Sequence, residues 1–159
     1  MARVDLPDGD DDELIRLYSL SPSMGGAAAA FSGAVYGETS LPTRVREVAR
    51  MRIAGANECA VCLDTRTTSD PDRLTEEEYL GMADWRSLTT LSDRERVAAE
   101  FAELFATDHL SMDADFWARA RAEFTDRELF ELGVCCASWL GLGRVTQVFD
   151  AGVTCRIEF

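Results

Sequence analysis

The sequence contains no lysine, since arginine supplies all 16 basic residues. Catalysis through a lysine Schiff base is therefore excluded. Histidine is nearly absent as well. His109 is the only one, so no Ser-His-Asp arrangement can be argued and the ligands of a structural zinc site are not expected. We expect neither a metal nor a cofactor. No stretch approaches about 18 uncharged apolar residues, so we predict no transmembrane helix.

Acidic residues dominate the charge, with 29 Asp and Glu against 16 Arg and a net charge of −13. This charge repels phosphate backbones, so we expect no nucleic-acid partner. The N-terminal residues are acidic and lack the apolar core of a secretory signal, so we expect a cytoplasmic protein. The chain has 159 residues, 47% of them hydrophobic, which predicts one domain over residues 1–159.

Apolar periodicity predicts helices along nearly the whole chain and no convincing strand. Residues 154–159 alternate only weakly and could form an extended tail. Capping boxes, in which a hydroxyl and a glutamate satisfy the first helical amides, mark three starts: Thr75 with Glu78, Ser92 with Glu95 and Thr125 with Glu128. The other predicted helices span residues 10–20, 24–36, 43–54, 58–67 and 113–124, and the last runs over 125–149. The fold class is therefore all-α.

The five cysteines, at positions 59, 62, 135, 136 and 155, do not fit a secreted disulfide scaffold. Their number is odd and no secretory signal is expected. Cys135 and Cys136 lie in the apolar run 132–142, which predicts small buried side chains. Cys59 and Cys62 remain as the candidate redox pair.

Cys59 and Cys62 form a C-x-x-C motif, whose spacing puts both thiols on one face of a helix. Gly55 and Asn57 are typical helix-ending residues, so Cys59 should lie near a new helix N-terminus, where the helix dipole favours a thiolate. Arg66, four residues after Cys62, adds a positive charge to the same face. Two thiols at this spacing can close a disulfide, which is the chemistry of a peroxide-reducing or disulfide-exchanging dithiol.

Glu47, Cys59 and Cys62, in the segment LPTRVREVARMRIAGANECAVC, resemble the carboxymuconolactone decarboxylase/AhpD-like (alkylhydroperoxidase-like) family. The later segment FTDRELFELGVCCASWLGLGR agrees, and the resemblance covers about residues 10–150. It implies an all-α bundle that forms trimers or hexamers. Redox members of the family reduce peroxides, or pass electrons to a peroxiredoxin, through the cysteine pair. By this resemblance Cys62 attacks the peroxide, Cys59 resolves it as a disulfide, and Glu47 relays protons with a histidine four residues after the second cysteine.

The sequence departs from that pattern at Arg66, which stands where the family has the histidine. Arginine stays protonated in proteins and cannot act as a general base. His109 could fold back toward the site, or it could be a solvated residue near a helix C-terminus. Glu47 also has two interpretations, because neighbouring arginines could hold it in surface helix pairs instead of a proton relay. The helix dipole favours Cys59 as the more acidic thiol, whereas the resemblance favours Cys62 as the nucleophile.

Three functions remain open. The first is a thiol-dependent oxidoreductase, a peroxidase or disulfide reductase that cycles Cys59 and Cys62 with an external thiol reductant or a peroxiredoxin. The second is a lyase of the same family, with Arg66 binding the carboxylate of a small acidic lactone. The third is a non-catalytic oligomer. A homo-oligomer is expected in each case, because the last helix is apolar on most of its surface and must be buried centrally or between subunits.

Overall fold

Eight α-helices and two short 3₁₀ turns make up the fold in the computed structural model, which describes residues 2–151. The helices are α1 (Glu13–Ser19), α2 (Pro22–Gly37), α3 (Thr43–Ala56), α4 (Ala60–Asp64), α5 (Glu76–Gly81), α6 (Asp93–Thr107), α7 (Ala114–Glu123) and α8 (Asp126–Phe149). The 3₁₀ turns are Met82–Ser87 and His109–Ser111. No strand occurs within residues 2–151, so the all-α class is confirmed there. Cys155 and the weakly alternating segment 154–159 lie outside the described residues.

The helix starts follow the sequence signals closely. All three predicted capping boxes are present, at the N-termini of α5, α6 and α8. α2 begins two residues earlier than predicted, because Pro22 occupies its first position, where the missing amide costs no hydrogen bond. Asn57 is the C-cap of α3, as its residue type predicts.

The helix that carries Cys62 is shorter than the sequence predicts. Periodicity favours a helix over residues 58–67, but α4 spans only Ala60–Asp64. Glu58 has a left-handed backbone with φ of 51°, and Cys59 is extended, so neither residue can continue a helix. Thr65 is extended as well and ends α4. Cys59 therefore precedes the helix as its N-cap.

α3 lies at the centre of the bundle and packs mainly against α6 and α8. Val45, Ala49 and Ile53 join a core shared with α2, α6, α7 and α8. Val48 and Met51 join a second core, built with α5 and the 3₁₀ turn that follows it. Apolar periodicity predicts Val45, Val48, Ala49 and Ile53 as the buried face of this helix, and all four are buried. Glu47, Arg50 and Met51 are buried as well, so the buried surface extends beyond that face.

α8 is only partly buried in the single chain. Cys135 and Cys136 face the core, whereas Phe130 is 72% and Val148 58% exposed. The sequence predicts burial nearly all round this helix, and one chain alone does not provide it. α8 has 24 residues, and the mean hydropathy of its most apolar 18 residues is 1.2. By length and composition alone, it is just apolar enough to cross a membrane. Core helices of soluble proteins meet the same criterion, so this is weak support for a span.

Arginines from neighbouring helices bind the glutamates of all three capping boxes. Arg44 on α3 donates from Nε to Glu95 at 2.6 Å and from its two Nη atoms to Glu78 at 2.8 and 3.1 Å. Arg94 on α6 donates to Glu128 of α8 at 2.5 Å. The planar guanidinium suits such paired contacts better than an ammonium group would. Each helix start is therefore tied to the helix beside it.

Removing the Arg44 guanidinium should destabilise the fold. In Arg44→Met, the buried carboxylates of Glu78 and Glu95 lose their cation, and we expect the free energy of unfolding at pH 7 to fall by about 2–4 kcal/mol. Arg44 holds the pKa of Glu78 at about 2, below its usual 4.5. A lowered folded-state pKa contributes stability above pH 4.5 that is lost as the pH falls toward 2. In urea unfolding, the difference in free energy of unfolding between the wild type and Arg44→Met should therefore become smaller as the pH falls over that range.

Arg127→Met is the matched control for this substitution. Arg127 also pairs with a glutamate, Glu131, but its side chain is 74% exposed. The expected loss there is below about 1 kcal/mol. Equal losses for Arg44→Met and Arg127→Met, or a deficit of Arg44→Met that does not change with pH, would contradict the assigned role of Arg44.

Candidate functional site

Cys59 and Cys62 form a disulfide at the start of α4, with their Cα atoms 5.2 Å apart. The Sγ of Cys59 accepts a hydrogen bond from the amide of Cys62 at 3.2 Å, which caps the helix. Cys59 is 1% exposed, whereas Cys62 is partly exposed. The two predicted cysteines thus come together at a helix N-terminus, and they differ in accessibility.

Asn57 fixes the turn that leads from α3 into the disulfide. Its Nδ2 donates to the α8 carbonyls of Trp139 at 3.1 Å and Leu140 at 3.3 Å. Its Oδ1 accepts from the Nε of Arg144 at 3.1 Å. The left-handed backbone of Glu58 then redirects the chain so that a new helix can begin. The disulfide is therefore anchored to α8 as well as to α3.

Glu47 and Arg50 form a buried ion pair on α3. The guanidinium donates from Nε and Nη2 to the two carboxylate oxygens, each at 2.8 Å. Both residues are at most 5% exposed. The same guanidinium donates to the carbonyls of Cys62 at 2.7 Å and Thr65 at 2.9 Å. Arg50 thus connects Glu47 to α4, and the interpretation of Glu47 as a surface residue is wrong.

The carboxylate of Glu47 is held in its ionised form. Burial raises its pKa, but the Arg50 guanidinium and the hydroxyl of Tyr79, which donates to Glu47 at 2.6 Å, outweigh that effect and leave the pKa below its usual value. Burial and the neighbouring Glu47 raise the pKa of Tyr79 to about 12. Near neutral pH, Glu47 is therefore a charged acceptor with its oxygens occupied, and it acts on α4 through Arg50.

Arg66 is not among the described residues that line the cavity beside Cys62. Its guanidinium pairs with Glu76, with two contacts of 3.0 Å, and stacks over the ring of Tyr79 at 4.4 Å. The cation that lies against Cys62 is Arg50. The positive charge that the sequence analysis assigns to Arg66 is therefore supplied by a residue of α3.

His109 begins the 3₁₀ turn after α6 and is exposed. It is not among the described residues that line the cavity beside Cys62. The structure joins Cys59 to Cys62 by the disulfide and connects Glu47 to Cys62 through Arg50, whereas His109 lies in the turn after α6.

An apolar cavity of about 180 Å³ opens beside Cys62. Its walls come from α1, α2, α3, α4 and α8. Among the described residues that line it, Arg50 is the only charged side chain. The larger apolar and aromatic contributors are Leu14, Tyr18, Tyr36, Ile53, Trp139 and Leu142. Such a cavity suits a small, mostly apolar molecule with its reactive end toward the sulfur.

Cys135 and Cys136 are buried in the core, as the sequence predicts. Burial raises the pKa of Cys135 to about 11 and that of Cys136 well above its usual value. Both thiols are therefore structural and unreactive. Within residues 2–151, no group of three or more His, Cys, Asp and Glu side chains is placed to hold a metal ion.

Sequence reasoning missed Arg50 and Tyr36 as site residues. Arg50 stands three residues after Glu47, a spacing that also describes an ordinary surface pair, and only its burial on α3 distinguishes the two. Tyr36 ends a run rich in alanine and glycine and carries no motif. A signal for Arg50 is nonetheless present, because Ile53 and Ala54, three and four residues later on the same helix face, are apolar and buried.

Gly143 allows Asn57 to reach α8. A Cβ at this position would lie 2.6 Å from the Nδ2 of Asn57, whereas a Cβ at Gly141 would meet nothing within 4 Å. Gly143→Ala should therefore break the hydrogen bonds of Asn57 and lower the free energy of unfolding by about 1–3 kcal/mol. Gly141→Ala, on the same helix, should raise it by up to about 1 kcal/mol because alanine is the better helix former. Urea unfolding of both variants tests this, and a stabilised Gly143→Ala protein would contradict it.

The sequence model of the carboxymuconolactone decarboxylase family matches residues 22–104, a span that runs from the start of α2 into α6 and includes the disulfide. The uncharacterized protein YnjA of Escherichia coli K12 is 29% identical to this chain over 110 residues. That match covers 69% of this chain and 58% of YnjA.

Solved structures share the fold over nearly the whole chain. A protein of unknown function from Agrobacterium tumefaciens, suggested to be the antioxidant defence protein AhpD, is 20% identical, with a TM-score of 0.75 over 94% of this chain and 100% of its own. An uncharacterized peroxidase-related protein from Silicibacter sp. TM1040 is 16% identical, with a TM-score of 0.76 over 95% and 91% of the two chains. The debrominase Bmp8 is 14% identical, with a TM-score of 0.75 over 89% and 77%. At these identities the likeness concerns the fold alone. The family match, which covers more than half of the residues, shows that this chain belongs to the carboxymuconolactone decarboxylase family.

Proposed function

We propose that the protein is a dithiol oxidoreductase that reduces a small apolar peroxide through Cys62 and Cys59. The observation that carries the proposal is the disulfide itself: Cys62 borders an apolar cavity beside the Arg50 guanidinium, while its partner Cys59 is buried. The family match and the peroxidase-related name of one structural neighbour support this choice of chemistry.

In the proposed reaction, the thiolate of Cys62 attacks the outer oxygen of a hydroperoxide. The S–O bond forms, the O–O bond breaks, and the alcohol leaves. Cys59 then attacks the sulfur of the resulting sulfenic acid, so that the disulfide forms and water leaves. An external dithiol restores both thiols by two exchange steps. If the substrate is itself a disulfide, the same pair acts as a disulfide reductase.

Accessibility favours Cys62 as the attacking thiol. Cys59 is 1% exposed, so a substrate in the cavity meets the sulfur of Cys62 first. The charge of Arg50 lies at the backbone of Cys62 and stabilises a thiolate there. The dipole of α4 favours a thiolate at Cys59, but this helix has only five residues. We therefore assign the attack on the peroxide to Cys62.

A lyase acting on an acidic lactone receives less support. That hypothesis needs a cation free to bind a carboxylate, and Arg66 is paired with Glu76. Arg50, the one charged side chain among the described cavity residues, already donates to Glu47 and to the carbonyls of Cys62 and Thr65, which leaves it poorly suited to bind a second carboxylate. We further propose that the protein works in the cytoplasm, where a thiol reductant or a peroxiredoxin would regenerate it.

Substitution of each cysteine should separate the two proposed roles. Cys62→Ser should lose all peroxide turnover, because the attacking sulfur is gone. Cys59→Ser should react once and stop as a sulfenic acid on Cys62, because no second thiol can resolve it. Peroxide consumption with dithiothreitol as reductant measures turnover of the wild type and of Cys62→Ser. The single reaction of Cys59→Ser is measured on reduced protein freed of dithiothreitol, because that reagent would itself reduce a sulfenic acid, and mass spectrometry identifies the product.

Cys135→Ala is the control, since it removes a buried thiol that is not among the described residues lining the cavity beside Cys62. It should keep the turnover of the wild type. Unchanged turnover in Cys62→Ser would contradict the proposed function.

We also propose that the chain assembles as a trimer or hexamer through α8. Phe130 and Val148 are apolar side chains of this helix that the single chain leaves largely exposed. Covering that surface with a second copy would complete the burial that the sequence of α8 predicts.

Gel filtration with light scattering tests this assembly. The expected mass is three or six times the 17.6 kDa of one chain. Phe130→Glu should shift the protein toward monomers, since a charge would be buried in the interface. Leu110→Glu is the control, because Leu110 is even more exposed, at 85% against 72% for Phe130, but lies outside α8. A wild-type protein that elutes as a clean monomer would contradict the proposal.

A further inference from the structure

We propose that Tyr36 is a catalytic residue, whose hydroxyl protonates the leaving oxygen when Cys62 reduces a hydroperoxide. The inference rests on the proposed function. It assigns to Tyr36 the donation of a proton, which Arg66 cannot perform. Arg66 stands at the position of the family's histidine, but it stays protonated and is bound to Glu76.

The reaction needs a proton at one defined atom. When the sulfur of Cys62 takes the outer oxygen of R–O–O–H, with its hydrogen, the inner oxygen departs with the electron pair of the O–O bond. It leaves as the alkoxide RO⁻ unless an acid beside it donates a proton. In the proposed step the O–H bond of Tyr36 breaks, the alcohol ROH leaves, and the tyrosinate regains its proton from water that enters the cavity.

The position of Tyr36 suits this role. It lies near the end of α2, and its side chain lines the same small cavity as Cys62 and Arg50. The indole Nε1 of Trp139 donates to the Tyr36 hydroxyl oxygen at 3.1 Å, with the two ring centres 6.3 Å apart. The indole thereby holds the hydroxyl oxygen in place in the cavity wall.

The hydroxyl of Tyr36 carries its proton near neutral pH. Burial raises the pKa of Tyr36 above its usual value, so the hydroxyl is protonated throughout the neutral range. An alkoxide is a far stronger base than a tyrosinate, so the transfer is favourable.

Several other polar groups that line the cavity are less suited. The hydroxyls of Thr65 and Thr146 donate to helix carbonyls, and Arg50 does not release its proton. Tyr18 is the nearest chemical equivalent, but its pKa responds to burial alone. Tyr36 lines the same cavity as Arg50, whose guanidinium binds the backbone carbonyl of Cys62.

A leaving-group comparison tests the role of Tyr36. The reduced wild type, Tyr36→Phe and Tyr18→Phe are each mixed with tert-butyl hydroperoxide and with peracetic acid, and loss of the Cys62 thiol is followed by quenched-flow alkylation. The alkoxide from the first peroxide needs a proton to leave, whereas the acetate from the second does not. Tyr36→Phe should react about 10²- to 10⁴-fold more slowly with tert-butyl hydroperoxide. It should keep the wild-type rate with peracetic acid, to within about threefold.

Two controls separate proton donation from a structural effect. Alkylation of Cys62 by iodoacetamide needs no proton donor, so Tyr36→Phe should match the wild type if the fold and the thiol are intact. Tyr18→Phe, which removes a second hydroxyl from the cavity wall, should keep wild-type rates with both peroxides.

Each contrary outcome has a distinct meaning. Equal slowing of Tyr36→Phe with both peroxides, or no slowing with either, overturns the assignment of Tyr36 while leaving the dithiol function in place. A wild-type protein whose Cys62 reacts with iodoacetamide but with neither peroxide overturns the proposed peroxide reduction, and the assignment of Tyr36 with it.

Discussion

The buried ion pair between Glu47 and Arg50 is the contact on which the site depends. Its guanidinium satisfies both carboxylate oxygens and still reaches the carbonyls of Cys62 and Thr65, so one side chain joins the central helix to the segment that carries the disulfide. Removing either partner would leave an unpaired charge inside the bundle, at a cost of about 3–5 kcal/mol. The pair therefore holds α4 in place and keeps a fixed positive charge beside the more accessible sulfur.

Much of the fold could be predicted because its signals are local. The capping boxes at Thr75, Ser92 and Thr125 depend on residues three positions apart, and each begins a helix in the structure. The apolar face of α3 and the burial of Cys135 and Cys136 follow from periodicity and composition. The motif that joins Cys59 to Cys62 is local as well, so the redox pair could be identified without any tertiary information.

The parts that could not be predicted depend on contacts between distant segments. Arg50 and Arg66 are both arginines near the cysteines, and only tertiary packing decides that Arg50 turns inward while Arg66 pairs with Glu76. α4 is short because Glu58 takes a left-handed backbone, which no periodicity reveals. Tyr36 joins the site only because α2 folds against α8, where Trp139 meets its hydroxyl.

The most direct test of the account is a peroxide challenge of the fully reduced protein. A small excess of an organic hydroperoxide is added, the reaction is quenched with an alkylating reagent, and the thiols are mapped by mass spectrometry. The account predicts a rapid disulfide between Cys59 and Cys62, with Cys135 and Cys136 still reduced. Recovery of Cys59 and Cys62 as free, alkylated thiols after exposure would contradict it.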